Sequence, residues 1–165
     1  MEIERKFLLA ELPGNLNAHP SRAIAQGYLA VGTDGSEVRV RRAGERLLLT
    51  AKRGGGLVRE EAEVELSAEQ FEALWPATAG RRVEKTRYEI PAADELVIEL
   101  DVYSGTLSGL QVAEVEFPDT EAAARFAVPS WFGREVTDDD AYKNRRLAVD
   151  GAPRGQEGAL DVDPV

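Results

Sequence analysis

Charged residues recur at every second position along several short stretches of this chain, and that period of two restricts its fold more than any other feature. Successive side chains of a β-strand point to opposite faces, so residues two apart share one face. At the start, "MEIERKF" puts Glu2, Glu4 and Lys6 on one face and Ile3, Arg5 and Phe7 on the other. The pattern returns as Arg39/Arg41, Arg59/Glu61/Glu63/Glu65, Lys85/Arg87, Glu99/Asp101 and Glu114/Glu116, and Lys52 joins from the end of "LLLTAKR". Opposite them stand mostly apolar residues: Val38/Val40, Val64/Leu66, Ile98/Leu100/Val102 and Val115/Phe117.

The strand signals are many and short, at 2–9, 24–31, 36–43, 46–53, 58–66, 82–90, 96–103 and 111–118. Turn chemistry separates several of them: "GTDG" at 32–35, "AGE" at 43–45, "RGGG" at 53–56 and "SGTLSG" at 104–109. Three helical stretches interrupt the strands. "SAEQFEALWPA" offers Ser67 as N-cap with Gln70 completing a capping box, and "PDTEAAARFAV" offers Asp119 or Thr120 as cap. "TDDDAYKNRRLA" has the box spacing Thr137…Asp140 ahead of a short helix. Residues 1–150 read as one domain, and the Gly/Pro/Asp-rich stretch 151–165 as a frayed tail. About eight mostly antiparallel strands with few helices predict a mainly β fold, a closed barrel or a sandwich.

Composition removes whole classes of function. The 165 residues include no cysteine, so disulfides, thiolate nucleophiles and Cys–zinc sites are excluded. The single histidine, His19 in "LNAHPSRA", has no neighbour that could complete a catalytic or metal site. No run approaches the roughly 20 apolar residues of a transmembrane helix, and no signal peptide's apolar segment is present, so the expectation is a cytoplasmic protein. A net charge of −10 argues against broad binding of nucleic acid or membrane surfaces.

Half-buried antiparallel strands ordinarily alternate apolar and polar residues, so any single charged pair here reads as a solvated face. Sorting by sign is what sets the whole set apart. Stretches 96–103 and 111–118 could form a hairpin, and both are doubly acidic on this face, where facing like charges destabilise. A small barrel holds side chains or one small ligand inside. Crowded carboxylates there stay ionised only beside a cation, and the crowded bases Lys6, Arg39, Arg41, Lys52, Lys85 and Arg87 demand an anion. A polyphosphate chelated to a divalent metal meets both demands. With carboxylate ligands alone the metal is hard: Mg²⁺ or Mn²⁺ suits the site, and zinc does not.

"EIERKF", read Glu2-x-Glu4-x-Lys6, resembles the ExExK signature of the CYTH superfamily, the triphosphate tunnel metalloenzymes. "EVRVRR", "LTAKRGGGLVREEAEVEL", "VEKTRYEIP", "IELDVYSGTLSGLQVAEVEF" and "WFGREVTDDDAYKN" resemble the family's later blocks in order, so the likeness runs from residue 2 to about residue 149. It implies an eight-stranded antiparallel closed barrel, a tunnel binding a triphosphate and one or two divalent metal ions. On this chain Glu2 and Glu4 match the signature carboxylates, and Glu116 their metal-binding partner. Lys6, Arg39, Arg41, Lys52, Lys85 and Arg87 match the phosphate-binding set. Glu61, Glu63, Asp101 and Glu114 match the acidic wall that holds a second metal or the attacking water, and Glu65 and Glu99 continue these faces. A C-terminal helix would close one end, with Lys143 of "AYKN" reaching inward. The resemblance leaves a homodimer open.

The expected activity is metal-dependent hydrolysis of inorganic triphosphate (tripolyphosphate) to pyrophosphate and phosphate. Thiamine triphosphatase and class IV adenylate cyclase are the competing enzymes, and a non-catalytic sensor of polyphosphate is the competing binding protein. No Ser/His/Asp triad is available, so water attacks directly. The catalytic candidates are Glu4, Glu63, Lys85 and Tyr28, the last sharing the parity of Gln26 in "AQGYLAV". "RGGGLVRE" lacks the P-loop pattern and reads as a hairpin connection. Trp75 and Trp131 are expected to pack on the outer apolar face. Asp138–Asp140 read equally as N-cap partners or as part of the family block.

Overall fold

The computed structural model describes residues 3–53 and 60–153. The chain forms one antiparallel sheet of nine strands: β1 (Ile3–Leu9), β2 (Ser21–Val31), β3 (Glu37–Ala43), β4 (Arg46–Arg53), β5 (Glu60–Glu65), β6 (Arg82–Pro91), β7 (Val97–Ser104), β8 (Gln111–Phe117) and β9 (Phe132–Glu135). Their spatial order is β5-β4-β3-β2-β6-β7-β8-β1-β9. Eight of the nine correspond to the stretches the alternation marks out.

The ninth, β9, was not expected, and it bears on closure. An eight-stranded closed barrel needs β5 to pair with the free edge of β1. Instead β9 occupies the Phe7–Leu9 half of that edge, through Phe7↔Glu135 and Leu9↔Phe132. Among the described residues β5 pairs only with β4, so the sheet is open by its hydrogen bonding. Gly133 makes β9 possible: a Cβ there would lie 3.2 Å from the backbone of Leu8 and Leu9.

The two faces of the sheet bury different things. On the outer face Phe7, Leu9, Leu100, Ala113, Val115, Phe117 and Phe132 form a core with Ala123 of helix α2 (Thr120–Arg125). The other face carries the charges. One end of it is plugged by a second core, in which Leu8, Tyr28, Val83, Tyr103 and Val112 meet Tyr142, Leu147 and Ala148 from the C-terminal segment and helix α3 (Asn144–Asp150). Burying these apolar surfaces supplies most of the drive to fold, at roughly 25 cal/mol per Å². Among the described residues no helix is long and apolar enough to cross a membrane.

Local signals explain most boundaries. Helix α1 (Ala68–Leu74) starts at the expected capping box: Ser67 accepts from Gln70 N at 3.1 Å, and the Gln70 side chain accepts from Ser67 N at 2.9 Å. Asp119, rather than Thr120, caps α2 by accepting from Ala122 N at 2.7 Å. The expected Thr137…Asp140 box does not form. Thr137 Oγ1 accepts from Lys6 N instead, at 3.1 Å, and Asp139 caps the short turn Asp140–Tyr142. A tight turn at Asp94–Glu95, both at φ 59°, joins β6 to β7.

Candidate active site

Register puts the sorted charges on one continuous face. Arg39 and Arg41 of β3 sit beside Thr50 and Leu48 of β4, and Lys52 faces Glu37. On β5, Glu61 and Glu63 pair with Lys52 and Thr50. Across the sheet Arg87 faces Asp101, Glu99 faces Glu114, and Glu114 and Glu116 face Lys6 and Glu4. A cleft of about 400 Å³ opens over this face, lined by Glu4, Lys6, Tyr28, Arg39, Arg41, Lys52, Glu61, Glu63, Arg87, Glu99, Glu114, Glu116 and Lys143. Its lining also includes Glu37, Asn144 and Arg145, which the sequence pattern did not single out.

Two expected residues take a different place. Lys85 Nζ is fully buried beneath the cleft and bonds Asp101 Oδ2 at 2.7 Å. Arg87 grips the same carboxylate at 2.8 and 2.9 Å and pairs with Glu99 at 2.6 Å. Asp101 thus bonds two cations beneath the surface, and neither it nor Lys85 is among the residues that line the cleft. Burial opposes the charge on Asp101, yet Lys85 and Arg87 outweigh it and hold its pKa down to about 2. Burial likewise pushes Lys85 down, and Asp101 returns only part of that, because it shares its charge with Arg87.

The cations on β3 are less well matched. Arg39 lies 3.9 Å from Glu37, beyond hydrogen-bonding distance, and its buried Nε has no partner. Arg41 Nε donates to the neutral amide of Gln26 at 2.6 Å. Burial, then repulsion from Arg39 and Arg87, draws the Arg41 pKa down to about 10. Neither guanidinium has a carboxylate within hydrogen-bonding distance among the described residues.

The opposite wall is acidic. Burial works against the charge of Glu114, but a hydrogen bond with Glu4 and the charges of Lys6, Lys85 and Arg87 hold its pKa below the ordinary value. The donors around Glu4, Glu114 and Glu116 are all carboxylates, which suits a hard divalent ion. Among the described residues no three acidic side chains converge into a finished metal site; Glu2, Arg59 and the glycines at 54–56 lie outside the described residues. Glu65 is remote from the cleft lining and pairs with Arg46 at 3.3 Å on the exposed edge.

The C-terminal segment shapes the closed end. Lys6 Nζ donates to the Tyr142 carbonyl at 3.3 Å, Tyr103 Oη donates to Asn144 Oδ1 at 2.8 Å, and Lys143 reaches the lining while paired with Asp140 at 2.6 Å. The tryptophans are elsewhere: Trp75 stacks on Phe71 at 5.3 Å, and Trp131 meets Phe132 edge-on at 4.6 Å.

Comparison with known proteins agrees with this arrangement. Residues 1–139 match the CYTH domain family. An inorganic triphosphatase of Nitrosomonas europaea is 52% identical over 149 residues, covering 90% of this chain and 97% of that protein. One from Acetivibrio thermocellus is 35% identical over 150 residues, covering 88% and 92%. A crystal structure of an inorganic triphosphatase superposes with a TM-score of 0.75 at 46% identity, covering 90% of this chain and 95% of that one. A charged cleft built on one face of an antiparallel sheet, a family match over most of the chain and a near relative at half identity lead to one statement: this chain belongs to the CYTH domain family.

Proposed function

We propose that this protein is a metal-dependent inorganic triphosphatase, hydrolysing tripolyphosphate to pyrophosphate and phosphate. The observation that carries the reading is the facing of under-neutralised Arg39 and Arg41 by an all-carboxylate wall across one cleft. A phosphate chain alone would be repelled by the acidic wall, and a metal alone by the basic one. The identity of the N. europaea and A. thermocellus relatives supports the choice of substrate.

Phosphoanhydride hydrolysis needs charge neutralisation and in-line positioning more than covalent chemistry. Arg39, Arg41, Lys52, Lys6 and Arg87 would hold phosphate oxygens, with Lys143 reaching the chain from the closed end. Lys85 and Asp101 would act from below, fixing the Arg87 guanidinium through the shared carboxylate. Glu4, Glu114 and Glu116, with Glu2, would hold Mg²⁺ or Mn²⁺, which would supply Lewis-acid neutralisation of the phosphate oxygens. Glu61 and Glu63 would orient water and take its proton. Tyr28 stays protonated, since burial and Glu37 raise its pKa, so it would donate a hydrogen bond.

The tunnel form of the fold also follows from this reading. Glu61 and Glu63 on one margin of the sheet and Glu4 and Glu116 on the other repel when brought together. A bound metal–triphosphate would remove that repulsion and let the margins approach. The protein would work in the cytoplasm.

The test is phosphate release from tripolyphosphate, ATP and thiamine triphosphate with Mg²⁺, Mn²⁺ or EDTA. Metal-dependent release, fastest from tripolyphosphate, is the expected outcome. Cyclic AMP from ATP would make the protein a cyclase instead, and tight tripolyphosphate binding without turnover would make it a sensor.

A further inference from the structure

Gln26 sits on the charged face of β2, opposite Arg41 in the ladder and two residues from Tyr28. Its side chain is 1% exposed and bonded on both sides. Arg41 Nε donates to Gln26 Oε1 at 2.6 Å, and Gln26 Nε2 donates to Tyr28 Oη at 2.7 Å. Chemistry alone fixes both directions. A guanidinium can only donate, so the amide atom facing Arg41 is the oxygen. The amide nitrogen then faces Tyr28, whose oxygen must accept. A hydroxyl that accepts there keeps its own hydrogen for another partner, and Tyr28 lines the cleft.

We propose that Gln26 is a positioning residue that sets the polarity of a relay from Arg41 to Tyr28, turning the Arg41 terminal N–H groups and the Tyr28 hydroxyl hydrogen toward a triphosphate in the cleft. This rests on the triphosphatase reading for its substrate, but the relay stands on the two hydrogen bonds. A neutral amide does what no charged residue could do here. It anchors Arg41 without neutralising it, and it presents a donor to Tyr28 where a carboxylate would present an acceptor.

Gln26→Glu is the sharp test, because the substitution keeps size and keeps Arg41 anchored. The carboxylate can only accept, so it would draw the Tyr28 hydrogen away from the cleft. In Mg²⁺-dependent tripolyphosphate hydrolysis we expect kcat to fall about 100-fold, as when one oriented donor is removed, and KM to rise about tenfold, because the carboxylate also neutralises Arg41. In a Tyr28→Phe background the same substitution should change kcat less than about twofold. Wild-type kcat in Gln26→Glu, or kcat losses that multiply in the double variant, would overturn the relay. Should Gln26→Glu fail to fold, Gln26→Met answers the same question, since its kcat loss should also shrink once Tyr28 is Phe and multiplication would again overturn it.

A second readout needs no turnover. With ¹³Cζ-labelled tyrosine, the resonance absent from Tyr28→Phe reports Tyr28, and Gln26→Met, which removes the amide donor without adding a charge, should move its titration to higher pH; an unmoved titration refutes the relay. If the wild-type protein releases no phosphate from tripolyphosphate, the triphosphatase reading fails, while this titration still decides the relay.

Discussion

Two patches of one charged face solve the same electrostatic problem in opposite ways. On β6 and β7, Lys85, Arg87, Asp101 and Glu99 neutralise one another over distances of 2.6–2.9 Å. On β3, Arg39 and Arg41 are left to a carboxylate at 3.9 Å and a neutral amide. Each patch buries cations, but only the first supplies their counter-charge. The first is balanced within itself, and the second is left with charge that, in the proposed reading, a bound phosphate chain would take up. Coulomb attraction in a protected site is large enough to decide this either way: at 4 Å and an effective dielectric near 20 it is about 4 kcal/mol.

The largest effect should come from breaking the compensated patch. Asp101→Asn leaves Lys85 buried and unpaired, and we expect a loss of about 3–5 kcal/mol in urea unfolding. A loss below about 1 kcal/mol would erase the distinction between the patches. Next, Arg39→Ala or Arg41→Ala should weaken tripolyphosphate binding by about 1.5–3 kcal/mol in calorimetry while leaving stability within about 1 kcal/mol. Unfolding on the scale of Asp101→Asn would show that β3 is structural too. Glu4→Gln extends the comparison to the acidic wall: Mg²⁺-dependent phosphate release should disappear while circular dichroism stays that of the parent, and a lost β signal would assign Glu4 to the fold.

A smaller effect appears with pH. The folded pKa of Asp101, about 2, lies below the ordinary value of 3.8. Its contribution is therefore present above about pH 4 and is lost as pH falls toward 2, amounting to about 2 kcal/mol. Urea midpoints between pH 5 and pH 2.5 measure it, and a flat profile would contradict the compensated patch. Last, Glu95 holds a left-handed backbone at φ 59° in the β6–β7 turn and is not among the residues that line the cleft. Glu95→Gly should raise stability by about 0.5–1 kcal/mol without touching turnover, and a change in kcat would mean that this turn communicates with the cleft.

Parity explains why so much of the cleft could be read from the chain. A strand's period of two is rigid, so Glu4/Lys6 or Glu114/Glu116 cannot be separated onto different faces once the strand forms. The same rule cannot report depth. Lys85 and Arg87 share a face, but only the fold shows that one is buried beneath Asp101 and the other lines the cleft. Short segments also escaped. β9 spans four residues around Gly133, too few to show alternation, and it forms because it docks on β1. Asn144 and Arg145 reach the cleft from a helix start, where no strand pattern applies. Gln26 is neutral, so a search for sorted charges passes over it; the spacing Gln26-x-Tyr28 puts the two on one face, and only the fold brings Arg41 to the amide. Thr137 shows the converse failure: a sound capping pattern lost to a tertiary partner, the Lys6 amide.

Lys6 is held three times by the far end of the chain, through Val136 N to its carbonyl at 2.8 Å, Thr137 Oγ1 and the Tyr142 carbonyl. Among the described residues its strand β1 has β8 and β9 alone as neighbours, both drawn from the last third of them. During synthesis, then, β1 has no partner among the described residues until more than a hundred residues have followed it. Such long-range pairing slows folding and leaves an apolar strand exposed in the interim, the situation in which a nascent chain relies on chaperones. The cleft closes its own clock: a polypeptide stalled before Val136 would lack all three contacts to Lys6, and so would carry the signature residues ahead of the fold that sets them.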